Sequence, residues 1–535
     1  MLIDLATSKP DRLDSEIAII GAGAAGITLA RSLTERGISV LLLESGGLDY
    51  EDRTADLNAG ENIGQDYYPL DHARLRFFGG TTAIWGGRCS QLDPIDFEKR
   101  DWVPHSGWPF PHADILPYYE KARGIFGLPW RTPTEKTVRA AGVPLPRFSE
   151  SELATPLWSF DSKFDRFSMA NCRDLAEHPQ CTIVLHATIR EIVAAADGAS
   201  VARLDVVAPD GTAIDVQARD YILAAGGIEN PRLLLASRSV MPCGLGNQSD
   251  QVGRYFMEHP HARGGRIVRG DAWKLFDAFA KRTLASETVA PLIAPSAQLQ
   301  AEQGLLNTSL TIAPRRPADG REAWAMRAYL HAKEKRAPNR MGRSLWKMTK
   351  RSVGWLQQKV DPARPWLLNK LGRLDVALVV RAEQAPNPDS RVLLSEQDRD
   401  ALGMPRVKLN WQTTALDTHS VAGLVAALGR ETKRLNLGTV EPAPWLSDPS
   451  AEWKTDPLIS AHPIGGYHHM GTTRMAEDPA QGVTDGHAKV HGLANLHIAG
   501  SSLFPTSGWA NPTLTIVALA LRLADRLADN RLAER

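Results

Sequence analysis

The sequence has little cysteine and nothing arranged around it. Its four cysteines, Cys89, Cys172, Cys181 and Cys243, are scattered without a CxxC pair, which argues against a zinc or iron–sulfur centre and a disulfide scaffold and fits a reducing compartment. No CxxCH occurs, so a haem would have to sit on a separate chain. No uninterrupted apolar stretch reaches membrane-spanning length; the longest candidate, Leu514 to Leu521, runs into Arg522 and Asp525 and reads as the start of a buried helix. The opening MLIDLATSKPDRLDS lacks a basic start leading into an apolar core, so no export signal is expected. The expected localisation is cytoplasmic, periplasmic only if the chain is exported with a partner. Charge of one sign is not in excess either: 62 basic residues stand against 61 acidic ones, which removes any overall electrostatic preference for nucleic acid. No repeat or long low-complexity segment is present. What remains is a globular composition, 43% apolar over 535 residues, too long for one ordinary core and pointing to two or three domains.

The most informative feature is Gly21-Ala22-Gly23-Ala24-Ala25-Gly26, which directly follows the apolar run Ile17 to Ile20. Val40 to Leu43 comes one helix length later and ends in Glu44 and Ser45. Strand, glycine turn, helix (expected over 24–36) and second strand ending in an acid form a dinucleotide-binding unit. Gly21 serves the sharp turn, Gly23 the approach of a pyrophosphate, and Gly26 close packing of helix on sheet. The pyrophosphate is expected at the helix N-terminus, and the Glu44 carboxylate is placed to accept the hydroxyls of an adenosine ribose.

Near Tyr67 this unit gives way to Phe77 to Gly87, where Gly79, Gly80, Gly86 and Gly87 surround Thr81, Thr82 and Trp85. Such a stretch predicts a loop following something flat or phosphorylated, with a plain surface loop as the alternative. Strand signals recur at Thr182 to Leu185 and between Val201 and Ala218. Tyr221 to Leu223 then reads as a buried strand ending in Ala224, Ala225, Gly226 and Gly227, with Pro231 opening a helix over 231–238. Residues 262–461 change character, with strand-like alternation at 374–380 and 406–411, as expected for an inserted substrate domain built on an antiparallel sheet. Within it, 332–375 is basic and carries Trp346, Trp355 and Trp366. This segment reads either as packed on its own domain with a solvated basic face, or as a peripheral membrane or partner-protein contact.

The C-terminal part holds His462 to Met475, with adjacent His468 and His469, and then Gly500 and Asn511-Pro512-Thr513. No carboxylate or cysteine lies at helical spacing from the histidine pair, so no metal is expected. For His491 and His497 the preferred reading is that of ordinary core residues.

Taken with the N-terminal glycine motif and the Gly-Gly-Thr-Thr-Ala-Ile-Trp loop, this segment resembles the glucose-methanol-choline (GMC) oxidoreductases. The resemblance is strongest for the pyranose-oxidase and sugar or glycoside dehydrogenase branch. It covers both ends of the chain and weakens in the middle. It implies an α/β fold with a Rossmann-like FAD-binding domain, discontinuous over 1–110, 215–261 and 462–535. A stretch over 111–214 links strands and adds to the cofactor sheet, and the inserted α+β substrate domain spans 262–461. It implies FAD, held at Gly21, Gly23, Ala24, Ala25, Gly26, Glu44, Ser45, Gly80, Thr81, Thr82, Trp85, Gly86, Gly87, Ala225, Gly226, Gly500, Asn511, Pro512 and Thr513. The residue before Trp85 is Ile84, where some relatives carry a flavin-bonding histidine, so the FAD is expected to be noncovalent.

The resemblance places the catalytic base on His468, with His469 as the alternative if the register slips by one, and the second active-site residue on Asn511. An imidazole suits removal of a hydroxyl proton near pH 7, and an amide can hold the same oxygen as it becomes alkoxide-like. The implied reaction is oxidation of a sugar, glycoside or other polyol hydroxyl by a dehydrogenase, with an oxidase as the alternative. Electrons pass to an external acceptor: a quinone, a cytochrome or oxygen. Oxidation of a non-sugar alcohol, and a non-redox lyase or isomerase on the same scaffold, remain as other readings.

Overall fold

A computed structural model describes residues 1–161, 163, 165–284, 287–315, 374–447, 453 and 467–534, with isolated positions between 317 and 372. Trp346, Trp355 and Trp366 of the basic segment and His462 to Gly466 lie outside the described residues.

One sheet of eight strands organises the larger part of the chain. Its spatial order begins Leu2–Asp4, Cys181–Leu185, Val40–Leu43, Arg12–Ile20, Ala213–Leu223, all parallel. The last of these strands divides its second edge. Its first half pairs antiparallel with Val201–Val207, which in turn pairs with Thr188–Ala194, while Tyr221 to Leu223 pair in parallel with Leu496–Ile498. The central strands are buried on both faces, which is why Ile17 to Ile20 and Val40 to Leu43 are unbroken apolar runs. Helix Ala24–Thr34 covers the sheet together with Thr513–Glu534, and the latter also packs on Leu116–Ile125.

The first helix stops two residues before the expected end because Gly37 turns left-handed (φ +73°), with its N–H on Thr34 O and that of Ile38 on Leu33 O. The second glycine crossover is also corrected: the helix spans Gly226–Ala236, and Pro231 lies inside it. A proline at that place leaves the Gly227 carbonyl without its helical donor. The Thr472 hydroxyl takes that role at 2.5 Å, tying the helix to the C-terminal histidine segment.

A separate four-stranded antiparallel sheet runs Ser309–Arg315, Asp375–Arg381, His261–Val268, Thr439–Pro442, with helix Ala415–Arg434 against it. Smaller ladders cross the sequence boundaries. Leu157–Phe160, from the linking stretch, pairs with Glu287–Pro291 and with Arg88–Cys89. Gly60–Asn62, from the N-terminal unit, pairs with Pro405–Asn410.

A buried ion pair joins the two layers of the molecule. Arg100 donates two hydrogen bonds to Glu383, at 2.6 and 3.0 Å, with side-chain exposures of 1% and 0%. Glu383 also accepts the Asn307 N–H at 2.6 Å, and the Asn307 amide reaches Asp93 and Asp96 at 3.0 and 2.9 Å. Removing one partner of such a pair leaves the other charge buried and unanswered. Glu383→Ala is therefore expected to lower unfolding free energy by about 3–5 kcal/mol, with Arg100→Met/Glu383→Leu less damaging than the single change. Urea unfolding followed by tryptophan fluorescence checks this; equal loss in the single and double variants contradicts it.

Candidate active site

Three chain segments deliver glycine-rich exits to the same end of the parallel sheet: Gly21 after Ile20, Ala224 to Gly226 after Leu223, and Gly500 two residues after Ile498. Gly21 and Gly26 are required by protein contacts, since a Cβ on Gly26 would stand 1.9 Å from Gly21 O and one on Gly21 2.7 Å from Ala224 O. Gly23, Gly226 and Gly500 are different: a Cβ on any of them meets nothing within 4 Å. Open space therefore lies where the three exits meet, beside a helix N-terminus (Gly23, Ala24, Ala25) that no side chain caps. That is a cradle for an anionic, nucleotide-sized group.

Glu44 is buried at the edge of this cradle, its carboxylate held at 3.0 Å each by the N–H groups of Ala22 and Gly46. Burial pushes its acidity below the usual carboxylate strength, against the pull of those N–H groups and of Arg76. The Ser45 hydroxyl faces elsewhere, toward Thr188 (2.8 Å) and Arg76 (2.9 Å). Gly80 comes within 3.8 Å of the Gly23 Cα when given a Cβ, and opens a 3₁₀ turn, Gly80–Ile84, where an irregular loop is expected from sequence. Thr82 closes that turn on Gly79 O at 2.5 Å. Thr81, Trp85 and Gly86 remain partly accessible while Gly87 is buried, and Trp85 leans on Phe126 at 5.4 Å. The Ala225 N–H is taken by Asn230, which also bonds Ala499 O and Ser502 and so stitches the second exit to the third. Pro512 and Thr513 open the C-terminal helix directly after Asn511.

His468 and Asn511 meet, with Asn511 Nδ2 3.1 Å from His468 Nε2, and both side chains remain partly accessible. His468 Nδ1 lies 2.8 Å from His259 Nδ1, and His259 Nε2 lies 2.8 Å from the Gly508 carbonyl. The polarity of this chain follows from its last member. A carbonyl can only accept, so His259 Nε2 carries hydrogen. Burial pushes the His259 basicity down to about 4, so the ring is neutral near pH 7 and its Nδ1 is bare. It must then accept from His468 Nδ1–H, which leaves the lone pair of His468 on Nε2, facing the Asn511 amide.

His469 points away. It is packed beside Tyr67 and Phe256, its Nε2 has no hydrogen bond, and burial pushes its basicity down to about 3. Gly508, Asn511 and His468 thus gather on one side of the backbone and His469 on the other. Glu258 sets that division: one oxygen accepts the Tyr67 hydroxyl at 2.5 Å, the other the His468 backbone N–H at 2.8 Å. Burial raises its pKa to about 7. Sequence reasoning assigned no role to His259, Glu258 or Asn230; the signal for the first two was that the segment Val252 to Pro260, beyond the second cofactor strand and its helix, shares in the family resemblance.

His491 Nε2–H donates to Ala476 O and His497 is buried beside Asp220, both away from this cluster. Among the described residues no group of three or more His, Cys, Asp or Glu could hold a metal ion, and no helix is long and apolar enough to cross a membrane.

Two family models match the chain: one for FAD dependent oxidoreductases over residues 16–276 and one for GMC oxidoreductases over 386–520. The chain is similar to the fructose dehydrogenase large subunit of Gluconobacter japonicus, 23% identical with 97% of this chain and 99% of the relative covered. It is similar to the 6'''-hydroxyparomomycin C oxidase of Streptomyces lividus, 26% identical over 97% and 92%. A solved fungal aryl-alcohol oxidase shares the fold, with TM-score 0.59 and 13% identity, covering 97% of this chain and all of that one. The glycine cradle, the buried acid at its edge and the matched segments agree, and the chain belongs to the GMC oxidoreductases as an FAD-dependent enzyme.

Proposed function

We propose that the enzyme oxidises a hydroxyl of a sugar, glycoside or related polyol to a carbonyl, with His468 as base and Asn511 as oxyanion partner. The observation that carries this reading is the contact of His468 Nε2 with the Asn511 amide at 3.1 Å, at the end of a histidine chain closed by the Gly508 carbonyl. An alcohol oxygen seated against this pair gives its proton to His468 Nε2 and accepts the amide N–H of Asn511 as negative charge builds on it. His259 keeps the ring in the accepting tautomer, and Glu258 holds the His468 backbone. Bound FAD supplies the two-electron acceptor for the hydrogen leaving carbon as hydride. The glycine cradle and Glu44 are the residues that would hold its pyrophosphate and ribose, and the turn from Gly80 to Gly87, with Pro512 and Thr513, its ring end. The sugar-type substrate is supported by the names of relatives that act on fructose and on hydroxyparomomycin. A quinone, a cytochrome or oxygen completes the cycle as external acceptor.

We read the FAD as noncovalent because Ile84 offers no nucleophile next to Trp85. Acid precipitation is expected to leave the yellow chromophore in the supernatant; flavin retained in the pellet refutes it. His468→Ala should slow anaerobic flavin reduction by alcohol by about 10²–10⁴-fold, and Asn511→Ala by about 10²–10³-fold, mostly in kcat. Stopped-flow bleaching at 450 nm measures both, and undiminished rates in either variant sink the assignment.

The pH dependence follows from the surroundings of His468. Burial first, then His259, Arg381, His469 and Arg88, push its basicity well below the ordinary histidine range. A base is active when unprotonated, so a depressed pKa moves the acid limb to lower pH. The His468 limb of kcat/KM is expected only below about pH 6.5, with any step near 7 belonging to Glu258 and lost in Glu258→Gln. An inflection above neutrality contradicts the arrangement.

A further inference from the structure

Two guanidiniums, those of Arg88 and Arg381, have no carboxylate partner among the described residues. Arg88 directly follows Gly86-Gly87 and lies opposite Phe160 in its ladder. Arg381 closes the strand Asp375–Arg381, opposite both His261 and Ser309. They arrive from different sheets and converge on one ring: each guanidinium carbon is 4.9 Å from the Trp158 centroid, and that of Arg88 is 5.7 Å from Phe160. Among the described residues neither makes an ion pair or a hydrogen bond through its side chain, and the Nε of each is buried without a partner. Both nevertheless keep part of their surface accessible. Arg381 is tied to the histidine chain by backbone: it pairs with His261, and the Ala382 N–H bonds Pro260 O, next to the His259 that holds His468 at 2.8 Å.

Most other buried arginines have a carboxylate, and Arg474, which stacks on Tyr255 without one, still donates to the His105 carbonyl. Arg74, Arg76 and Arg232 share Glu229, Arg100 has Glu383, and Arg123 has Glu287. Guanidinium does not lose its proton in proteins, so Arg88 and Arg381 remain a pair of like charges in a poorly hydrated place. Burial pushes the first down to about 10, and burial with Arg88 and Arg315 nearby pushes the second well below the usual arginine range. Stacking on Trp158 restrains both planes while leaving the N–H forks free. Two restrained forks at the wall of a site match an oxyanion with bidentate geometry.

We propose that Arg88 and Arg381 form an oxyanion subsite, so that the substrate is a hydroxylated compound carrying a carboxylate or phosphate group. Seating that group against the two forks presents a hydroxyl of the same molecule to His468 Nε2. An amino-substituted substrate meets the same pair with repulsion. The subsite rests on the reading of His468 as the base of the site, and deepens it by naming the substrate's charge.

The test compares glucose, glucuronate, glucose 6-phosphate and glucosamine as reductants of the purified holoenzyme under anaerobic conditions. One of the two anions is expected to exceed glucose by about tenfold or more in kcat/KM, with glucosamine the poorest; which anion leads tells carboxylate from phosphate. Arg381→Met and Arg88→Met should each bring the anion-to-glucose ratio toward one. Ligand-free Arg381→Met holoenzyme should melt at a higher temperature than the parent, because an unanswered charge has been removed; an arginine with a structural role would give the opposite shift. The His468→Ala holoenzyme should still gain thermal stability from the preferred anion. If no alcohol reduces the flavin but the anions still stabilise the parent and not Arg381→Met, the base reading falls and the subsite stands. Equal use of glucose and both anions with unchanged ratios in the variants, or a lowered melting temperature in Arg381→Met, overturns the subsite.

Discussion

The parallel ladder between Arg12–Ile20 and Ala213–Leu223 is the constraint from which the rest of the molecule takes its position. Eight register pairs run from Arg12 opposite Asp215 to Ile20 opposite Leu223, so two segments two hundred residues apart in sequence end at one level. The same strand then accepts Leu496–Ile498 on its other edge through Tyr221 to Leu223. Everything chemical follows at that level: the first glycine exit, the second, and the third leading to Ser501, Gly508 and Asn511. Had Ala213–Leu223 kept its antiparallel partner Val201–Val207 along its whole length, the C-terminal segment would have no edge to join. Asn511 would then have no fixed relation to the cradle.

The site itself is held by groups that can act in only one direction. Gly508 O can only accept and the Asn511 amide nitrogen can only donate. A fixed acceptor at one end and a fixed donor at the other leave the two histidines between them a single tautomer each. Burial keeps both rings neutral. This preorganisation needs no movement of side chains at the moment of proton transfer, which is the condition under which such groups act most strongly.

Local patterns made the larger half of this legible. The dinucleotide unit is written within 28 consecutive residues, Ile17 to Glu44, and each residue there answers to a neighbour near in sequence. The long C-terminal helix from Thr513 was readable for the same reason. Pairings between distant segments were not: Gly60–Asn62 with Pro405–Asn410, or Leu157–Phe160 with Glu287–Pro291, leave no periodicity in either partner. The start of the helix at Gly226 was hidden because Pro231 usually marks a first turn. Only Thr472, 245 residues away, makes it tolerable inside. His259 was silent for a similar reason, since its meaning lies in a contact spanning 209 residues. Arg88 and Arg381 were silent because the absence of a counter-charge among the described residues cannot be read from sequence.

The Gly508 carbonyl at the end of the histidine chain also decides where a proton can travel. A carbonyl can hold the Nε2–H of His259 but cannot take it away, so His259 cannot accept a second hydrogen at Nδ1 and pass one onward. The chain is a closed end. On the proposed reading of His468 as base, a proton it takes up has only the Asn511-facing side of the ring by which to leave, the side on which product forms. Discharge of the base would then be tied to departure of the product.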